Sequence, residues 1–379
     1  MKTHYEAIVV GGGVAGLACA LDLKDAGTDF LLIAKEIGGR LLAFGENRVN
    51  FGAYVLPGTD RQVLRLVERT ARVHPFHLDF HSRRRGYSFW QIFRHWKELV
   101  RFYPFIVRYR LQYARFREHA MREGQRSAFD AFPEIRRLYE TGAGEFVRER
   151  GIATITRKFL GEPVWMCTFA KLRDLNAFDF LHVVMNLGIP VYRFRSRVPE
   201  VVSDLGRETR LGEVVSIEES DTVRIRLSDG SSLTCDRLVL ALPRESLGRL
   251  LPIRTDKVAC GAYLFWIAGT VRPEFCRGDL ELFDECDEAI FLSREPDGTT
   301  VYYATVPEPA FDRFFSSYEI LERWHWNPAF FLGGRTITDP DFSDRITLAG
   351  DMNVVGLEDS FVSGRYAARR TLGLLSDRI

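Results

Sequence analysis

Gly11, Gly13 and Gly16 stand in G-x-G-x-x-G spacing directly after an apolar, β-branched run, Ala7-Ile8-Val9-Val10. That arrangement holds a pyrophosphate. Gly11 permits a tight turn, Gly13 lets backbone approach the phosphates, and Gly16 lets the next helix pack closely. Val14 and Ala15 open that helix, whose unpaired N–H groups and dipole face the anion. After Gly27 a second apolar run, Phe30-Leu31-Leu32-Ile33, completes a strand–turn–helix–strand unit within about 30 residues, the context that makes the glycines informative. The second strand ends in Ala34-Lys35-Glu36, where an acid ordinarily binds the ribose hydroxyls. Ala34 has no such group. Glu36, two residues on, is either that contact or a solvated turn residue.

Two further groups have phosphate- or sugar-binding character. Gly38-Gly39-Arg40-Leu41 follows the second strand, and a guanidinium is a charge-assisted partner for a pyrophosphate. Near the other end, Arg345 to Asp351 reads as a strand closing in Gly350-Asp351, followed after a loop by a helix through Ser360 and Phe361. Asp359 precedes that helix and is read as its cap.

These blocks resemble the flavin-dependent amine oxidase superfamily, which includes protoporphyrinogen oxidase and phytoene desaturase. The resemblance rests on Gly38-Gly39-Arg40 and on Val49-Asn50-Phe51-Gly52-Ala53, which runs into Tyr54. It extends to Gly350-Asp351 with the helix after it, to the segment from Val214-Val215 to Ala241-Leu242-Pro243, and to Trp324-His325-Trp326-Asn327-Pro328. It implies a non-covalent FAD, with Arg40 on phosphate, Val214 holding the adenine through its backbone, and Asp351 on a ribityl hydroxyl. It also implies that the N–H groups near Ser360 and Phe361 face the flavin edge, where reduced flavin carries negative charge. The chain departs from the family in having Asp359 and Ser360 where glycine and alanine are usual.

The fold class so implied is α/β, a Rossmann-type FAD-binding domain interleaved with an α+β substrate domain. The first takes residues 1–59, 196–250 and 335–379, and the second takes 60–195 and 251–334. The chain has 379 residues, enough for two cores, and a formal charge of +1 that points to no polyanionic partner. Nucleic-acid binding is not expected, since no recognised module is present. The six cysteines show no CxxC pair and no neighbouring His ligands, so they read as reduced, mostly buried thiols; no metal centre is expected. The N-terminus lacks the layout of a secretory signal, and no apolar run reaches the ~18 residues of a spanning helix. A cytoplasmic protein follows, peripheral at most to the inner face of a membrane.

Between the blocks, residues 83–126 hold twelve Lys/Arg against three acids, interleaved with eleven aromatics. This reads as two helices broken at Pro104. Their basic and aromatic faces suit the protein core, a membrane surface, or the mouth of a site for an anionic or amphiphilic substrate.

The family's amine oxidases often carry a lysine near the flavin on the strand after the proline of the Ala241–Pro243 segment. The matching stretch here, Cys260 to Trp266, has none, and Lys257 is expected outside the site. Asn353, Val354 and Val355 replace the aromatic pair that often frames an amine. The resemblance therefore implies dehydrogenation or desaturation of a hydrophobic or amphiphilic small molecule by hydride transfer to flavin N5. Oxidation of an amine with release of peroxide is the alternative, and a structural flavin in a partner-binding subunit is a third reading. Tyr263 to Trp266 line the substrate cavity or belong to a core strand. His182, His325 and Glu162 are acid–base candidates by type alone.

Overall fold

The computed structural model describes residues 2–45, 49–73, 78–82, 85–186 and 188–376. The opening strand, His4–Gly12, runs parallel to Phe30–Ile37 on one side and to Ser232–Leu240 on the other. Ala7 and Val9 face one core while Ile8 and Val10 face another, and none of the four is more than 3% exposed. A strand buried on both faces must be apolar at every position, which is why Ala7 to Val10 shows no alternation.

The sheet order is Thr209–Leu211, Phe30–Ile37, His4–Gly12, Ser232–Leu240, Val223–Leu227, Val214–Glu219, with Ile346–Leu348 added parallel to the end of Ser232–Leu240. Val214–Glu219, Val223–Leu227 and Ser232–Leu240 continue the sheet as an antiparallel meander, whose Val214, Val223 and Ile225 pack with Ile8 and Val10 on one face. The other face is covered by the opening helix, Val14–Asp25, and the closing helix, Leu357–Ser376. These two helices nearly touch: a Cβ at Gly364 would stand 2.1 Å from the Ala15 carbonyl oxygen.

A second sheet is ordered Phe315–Leu332, Val258–Val271, Thr300–Ala304, Ala289–Arg294, Leu280–Phe283, Leu78–Ser82, Arg85–Ser88. Every pairing in it is antiparallel except Leu280–Phe283 with Leu78–Ser82. A third, small sheet joins Leu56–Pro57, Val191–Ser196 and Val67–Val73. The chain is thus an α/β protein with a Rossmann-type unit beside a mixed α+β portion.

The basic, aromatic stretch departs from expectation. Residues 83–84 lie outside the described set, Arg85–Ser88 is a strand, and Phe89–His95 is a 3-10 turn. From Trp96 to Ala131 one helix runs on through Pro104. The proline removes a bond to the carbonyl of Val100, but Val100 lies on the exposed side, where water can serve that carbonyl. The actual break is at Gly124, with φ +85° and ψ 158°. There a Cβ would stand 2.9 Å from the Tyr366 ring of the closing helix, so only glycine passes.

All six cysteines are unpaired; Cys19, Cys235 and Cys260 are buried, whereas Cys167 and Cys286 are exposed. "Mostly buried" therefore describes only half of them.

Candidate active site

The glycine turn is built as its spacing predicts. Gly11 has φ +117°, and a Cβ there would stand 2.2 Å from the Ala241 carbonyl oxygen. At Gly16 a Cβ would fall 1.8 Å from the Gly11 carbonyl oxygen, so the helix lies hard against the turn. Gly13 differs from both, since a Cβ there meets nothing within 4 Å. It is also the N-cap of the opening helix and brings no side chain to its first amides. The N–H groups of Val14, Ala15 and Gly16 are left without intrahelical acceptors, at the positive end of the dipole.

They open on a cavity of about 1000 Å³. Gly11, Gly13, Val14, Ala15, Gly39 and Arg40 form one part of its wall. Gly39 lies so close to the turn that a Cβ would stand 3.0 Å from Gly13 Cα. Ala34, Lys35 and Glu36 line it together with Val214 and Val215, as do Ala241, Gly350, Asp351 and Ser360. Lys35 pairs with Glu213 at 3.5 Å, and Glu36 stands exposed beside it at the rim.

Arg40 is half-buried, forms an ion pair with Asp351, and donates to the Ala329 carbonyl at 2.6 and 3.0 Å. The Phe330 ring lies 4.6 Å beneath its guanidinium. Glycine surfaces, two helix N-termini and one guanidinium suit a diphosphate-linked dinucleotide. Gly350, like Gly13, would place a Cβ in open space.

Several expected contacts fall elsewhere. Leu41 and Phe361 stand outside this cavity; both are buried in the core shared by the opening and closing helices. Gly16 and Gly38 shape the turn from behind, and Gly38 N–H donates to the Gly12 carbonyl at 2.8 Å. Ser360 N–H already donates to the Gly356 carbonyl at 3.0 Å, so the closing helix offers the amides of Leu357, Glu358 and Asp359 instead. Asp359 is not a cap. Its carboxylate accepts from Tyr113 at 2.8 Å and from Arg117 at 2.9 and 3.1 Å, both on the long helix. Burial opposes its charge, yet the Arg117 guanidinium beside it holds its acidity stronger than that of an ordinary aspartate.

Arg40 and Leu357 also wall a second cavity of about 260 Å³, into which Gly52, Ala53, Tyr54 and Asp359 project. Its sides are aromatic. Phe291 stacks on Tyr303 at 4.2 Å, and Phe169 lies 5.9 Å from Tyr303 and 5.6 Å from Phe330. Phe169 holds φ +54°, a left-handed conformation rare for a bulky residue. Tyr54 donates its hydroxyl to Glu295 and accepts from the Ser293 hydroxyl, and Tyr303 donates to the Gly52 carbonyl at 3.2 Å.

Asp60, Arg117, Asp179 and His182 add polar groups to this cavity. Burial pushes Asp60 up to about 7, with Glu358 and Asp359 adding to the rise against Arg117. Asp179 is raised to about 6 by burial, and Lys257 restrains it. His182 Nε2 lies 3.6 Å from Asp359 Oδ2. Its Nδ1 has no partner among the described residues, and burial keeps the ring neutral more readily than usual.

Of the three acid–base candidates, His182 lines the smaller of these two cavities and the other two line neither. Glu162 is buried in the first turn of the helix Gly161–Thr168 and raised to about 9 by burial, while His325 stacks on Tyr263 at 3.9 Å. Tyr263 to Trp266 also line neither cavity; Leu264, Phe265 and Trp266 are core residues of Val258–Val271. Lys257 lines neither cavity, but it is buried, and its Nζ donates to the Asn353 carbonyl at 3.1 Å. Val355 does line the smaller cavity.

Asp60, Arg117, Asp179 and Arg244 belong to these cavities without having been singled out by spacing. Arg244, buried on the wall of the larger one, donates to the Arg254 carbonyl at 2.5 Å. Its one sequence signal is its place just after Pro243, at the mouth of a strand. Away from both cavities, Asp79, His81 and Glu281 come together on the sheet face opposite Leu280 and Leu282. There His81 Nε2 lies 2.6 Å from Glu281 Oε2, a histidine–carboxylate pair assembled from residues 200 apart.

No curated protein matches the chain in sequence. Among solved structures, a redesigned double mutant of putrescine oxidase superposes with a TM-score of 0.72 at 14% identity, covering 99% of this chain and 100% of its own. Cyclohexylamine oxidase from Brevibacterium oxydans IH-35A gives 0.70 at 14% identity, covering 98% and 99%. At such identities the likeness is one of fold. The sequence itself matches the model of the flavin-containing amine oxidoreductases over residues 14–259, which is well over half of its length. The chain therefore belongs to the flavin-containing amine oxidoreductase family and is an FAD-dependent oxidoreductase.

Proposed function

We propose that this enzyme dehydrogenates a compact, largely apolar small molecule held in the 260 Å³ cavity. The observation that carries this reading is the contact of that cavity with the dinucleotide cradle through Arg40 and Leu357. Bound FAD supplies the electron-pair acceptor for the reaction. The protein's part is to orient a C–H bond and exclude water. Tyr54, Phe169, Phe291, Tyr303 and Phe330 form walls suited to both tasks. The volume lies just below the ~300–1,000 Å³ usual for ligand pockets, which favours a short or single-ring substrate over a long polyene.

A second reading, oxidation of an amine, draws on Asp60 and Asp179. Two buried carboxylates beside an apolar cavity would lower their own cost of ionisation by taking an ammonium between them. The fold neighbours are oxidases of putrescine and cyclohexylamine, a diamine and a single-ring amine.

One experiment separates the two. The yellow holoenzyme is mixed without oxygen with matched pairs of compounds, each an apolar amine and its neutral isostere. Bleaching by the neutral members supports the first reading. Bleaching by the amines alone, with peroxide on admission of air, supports the second. Bleaching by neither, over a full size series, rejects both.

A further inference from the structure

The long helix carries two apolar faces, and only one of them is used. Phe102, Ile106, Tyr109, Tyr113 and Phe116 are buried in the helical core. On the far side Trp96, Val100, Tyr103, Val107 and Leu111 recur at steps of three or four, so they form one stripe along the helix. Trp96 is 59% exposed, Tyr103 66% and Leu111 64%. At ~1.5 Å per residue the stripe is roughly 22 Å long. Trp90 and Phe93, also exposed, extend it into the preceding turn. A contiguous patch of this kind marks a surface that meets something apolar.

The flank of the stripe says what. Arg94, Lys97, Arg101, Arg108 and Arg115 are all exposed, and the last four, at about 100° per residue, fall along one side of it. Arg108 pairs with Glu134, whereas the other four have no ion-pair partner among the described residues. The one acid within the same stretch, Glu98, is turned inward to accept from the amides of Thr154 and Ile155. Interfacial aromatics beside unpaired cations are the complement of a lipid surface with anionic headgroups. Nor can the helix enter such a surface end-on, because its opposite face is core. None of the described helices is long and apolar enough to cross a bilayer.

We infer that the segment from Trp90 to Arg115 is a membrane-docking surface, lying in the plane of an anionic bilayer with Trp96, Tyr103 and Leu111 in the headgroup–acyl boundary. Arg110 of this helix donates to the Met185 carbonyl, and the adjoining residues Val183, Asn186 and Ile189 line the smaller cavity. Docking would therefore bring that cavity close to lipid, a consequence that rests on the proposed apolar substrate although the surface itself does not.

The test is co-sedimentation of the full-length holoprotein with phosphatidylcholine vesicles, with and without phosphatidylserine, at low and high salt. Wild type should pellet with the anionic vesicles and be released by salt. Trp96→Ser with Tyr103→Ser and Leu111→Ser should weaken binding roughly tenfold or more. Lys97→Glu with Arg101→Glu should abolish the preference for phosphatidylserine. Because these side chains are exposed, the variants should keep the wild-type Tm and flavin content, which separates loss of docking from loss of fold. Failure of wild type to bind either vesicle overturns the inference, as does equal binding by the triple variant. A wild-type dimer in solution that the triple variant dissolves also overturns it, by assigning the stripe to self-association.

Discussion

Arg117, on the long helix, places its guanidinium 2.9 Å from the carboxylate of Asp359, on the closing helix, and both side chains are buried against the smaller cavity. Asp359 would otherwise stand as an uncompensated charge beside the N-terminus that the family turns toward its flavin. Replacing Arg117 by methionine should cost about 3–5 kcal/mol, the usual penalty for removing one partner of a buried pair. The check is a urea midpoint with its slope. Adding Asp359→Asn should restore part of the loss, and a double variant no more stable than the single would show that the charge pair is not what holds the helices.

Gly13 and Gly16 should fail in different ways. A Cβ at Gly13 meets only open cavity, so Gly13→Val should fold with nearly unchanged Tm as apoprotein yet purify without flavin absorbance. At Gly16 a Cβ would collide with the Gly11 carbonyl, so Gly16→Ala should lower Tm as well as flavin content. Yellow Gly13→Val protein with wild-type flavin affinity would remove the larger cavity as the phosphate site.

Asp60 should make stability depend on pH in the direction set by its burial, which outweighs the Arg117 guanidinium 3.5 Å away. Its folded value, about 7, lies above the 3.8 of a freely solvated aspartate. The folded state therefore holds the proton more tightly, and the contribution is complete below pH ~4 and lost as pH rises toward ~7. Asp60→Asn should be indistinguishable from wild type in acid and more stable than it near pH 8, by on the order of 2–4 kcal/mol. Parallel denaturation curves at pH 4.5 and pH 8 read the difference directly. A constant gap between the two proteins would contradict the assignment.

Asp179→Asn discriminates between substrate classes. If an ammonium sits by this carboxylate, KM for amines should rise about tenfold, with kcat less affected and neutral substrates untouched. An equal loss for both classes would mean that Asp179 serves structure, through the Gly333 amide that donates to it at 2.8 Å.

The dinucleotide turn was legible because its logic is local: Gly11, Gly13 and Gly16 act within one strand–turn–helix. Gly350-Asp351 was legible for the same reason. Arg117 was not, since its partner lies 242 residues away and a basic residue on an amphipathic helix ordinarily faces solvent. The cap read at Asp359 failed on that long-range pairing, which outcompeted the nearby amides. Pro104 misled because a helix break depends on whether the orphaned carbonyl can be hydrated, a property of burial and not of the residue. Tyr263 to Trp266 were open to two readings because a cavity wall and a core strand demand the same residues; only the position of Val258–Val271 between Thr300–Ala304 and Phe315–Leu332 decides.

Arg40 stands in the partition between the two cavities, tied to Asp351 on one side and stacked over Phe330 on the other. A phosphate that draws the guanidinium away from Asp351 must also reshape the aromatic wall of the neighbouring chamber. Reciprocity then fixes the converse: whatever factor the dinucleotide imposes on a guest beside Phe330, that guest imposes on the dinucleotide. Tightness of cofactor retention becomes a readout of substrate occupancy, conveyed by a single side chain.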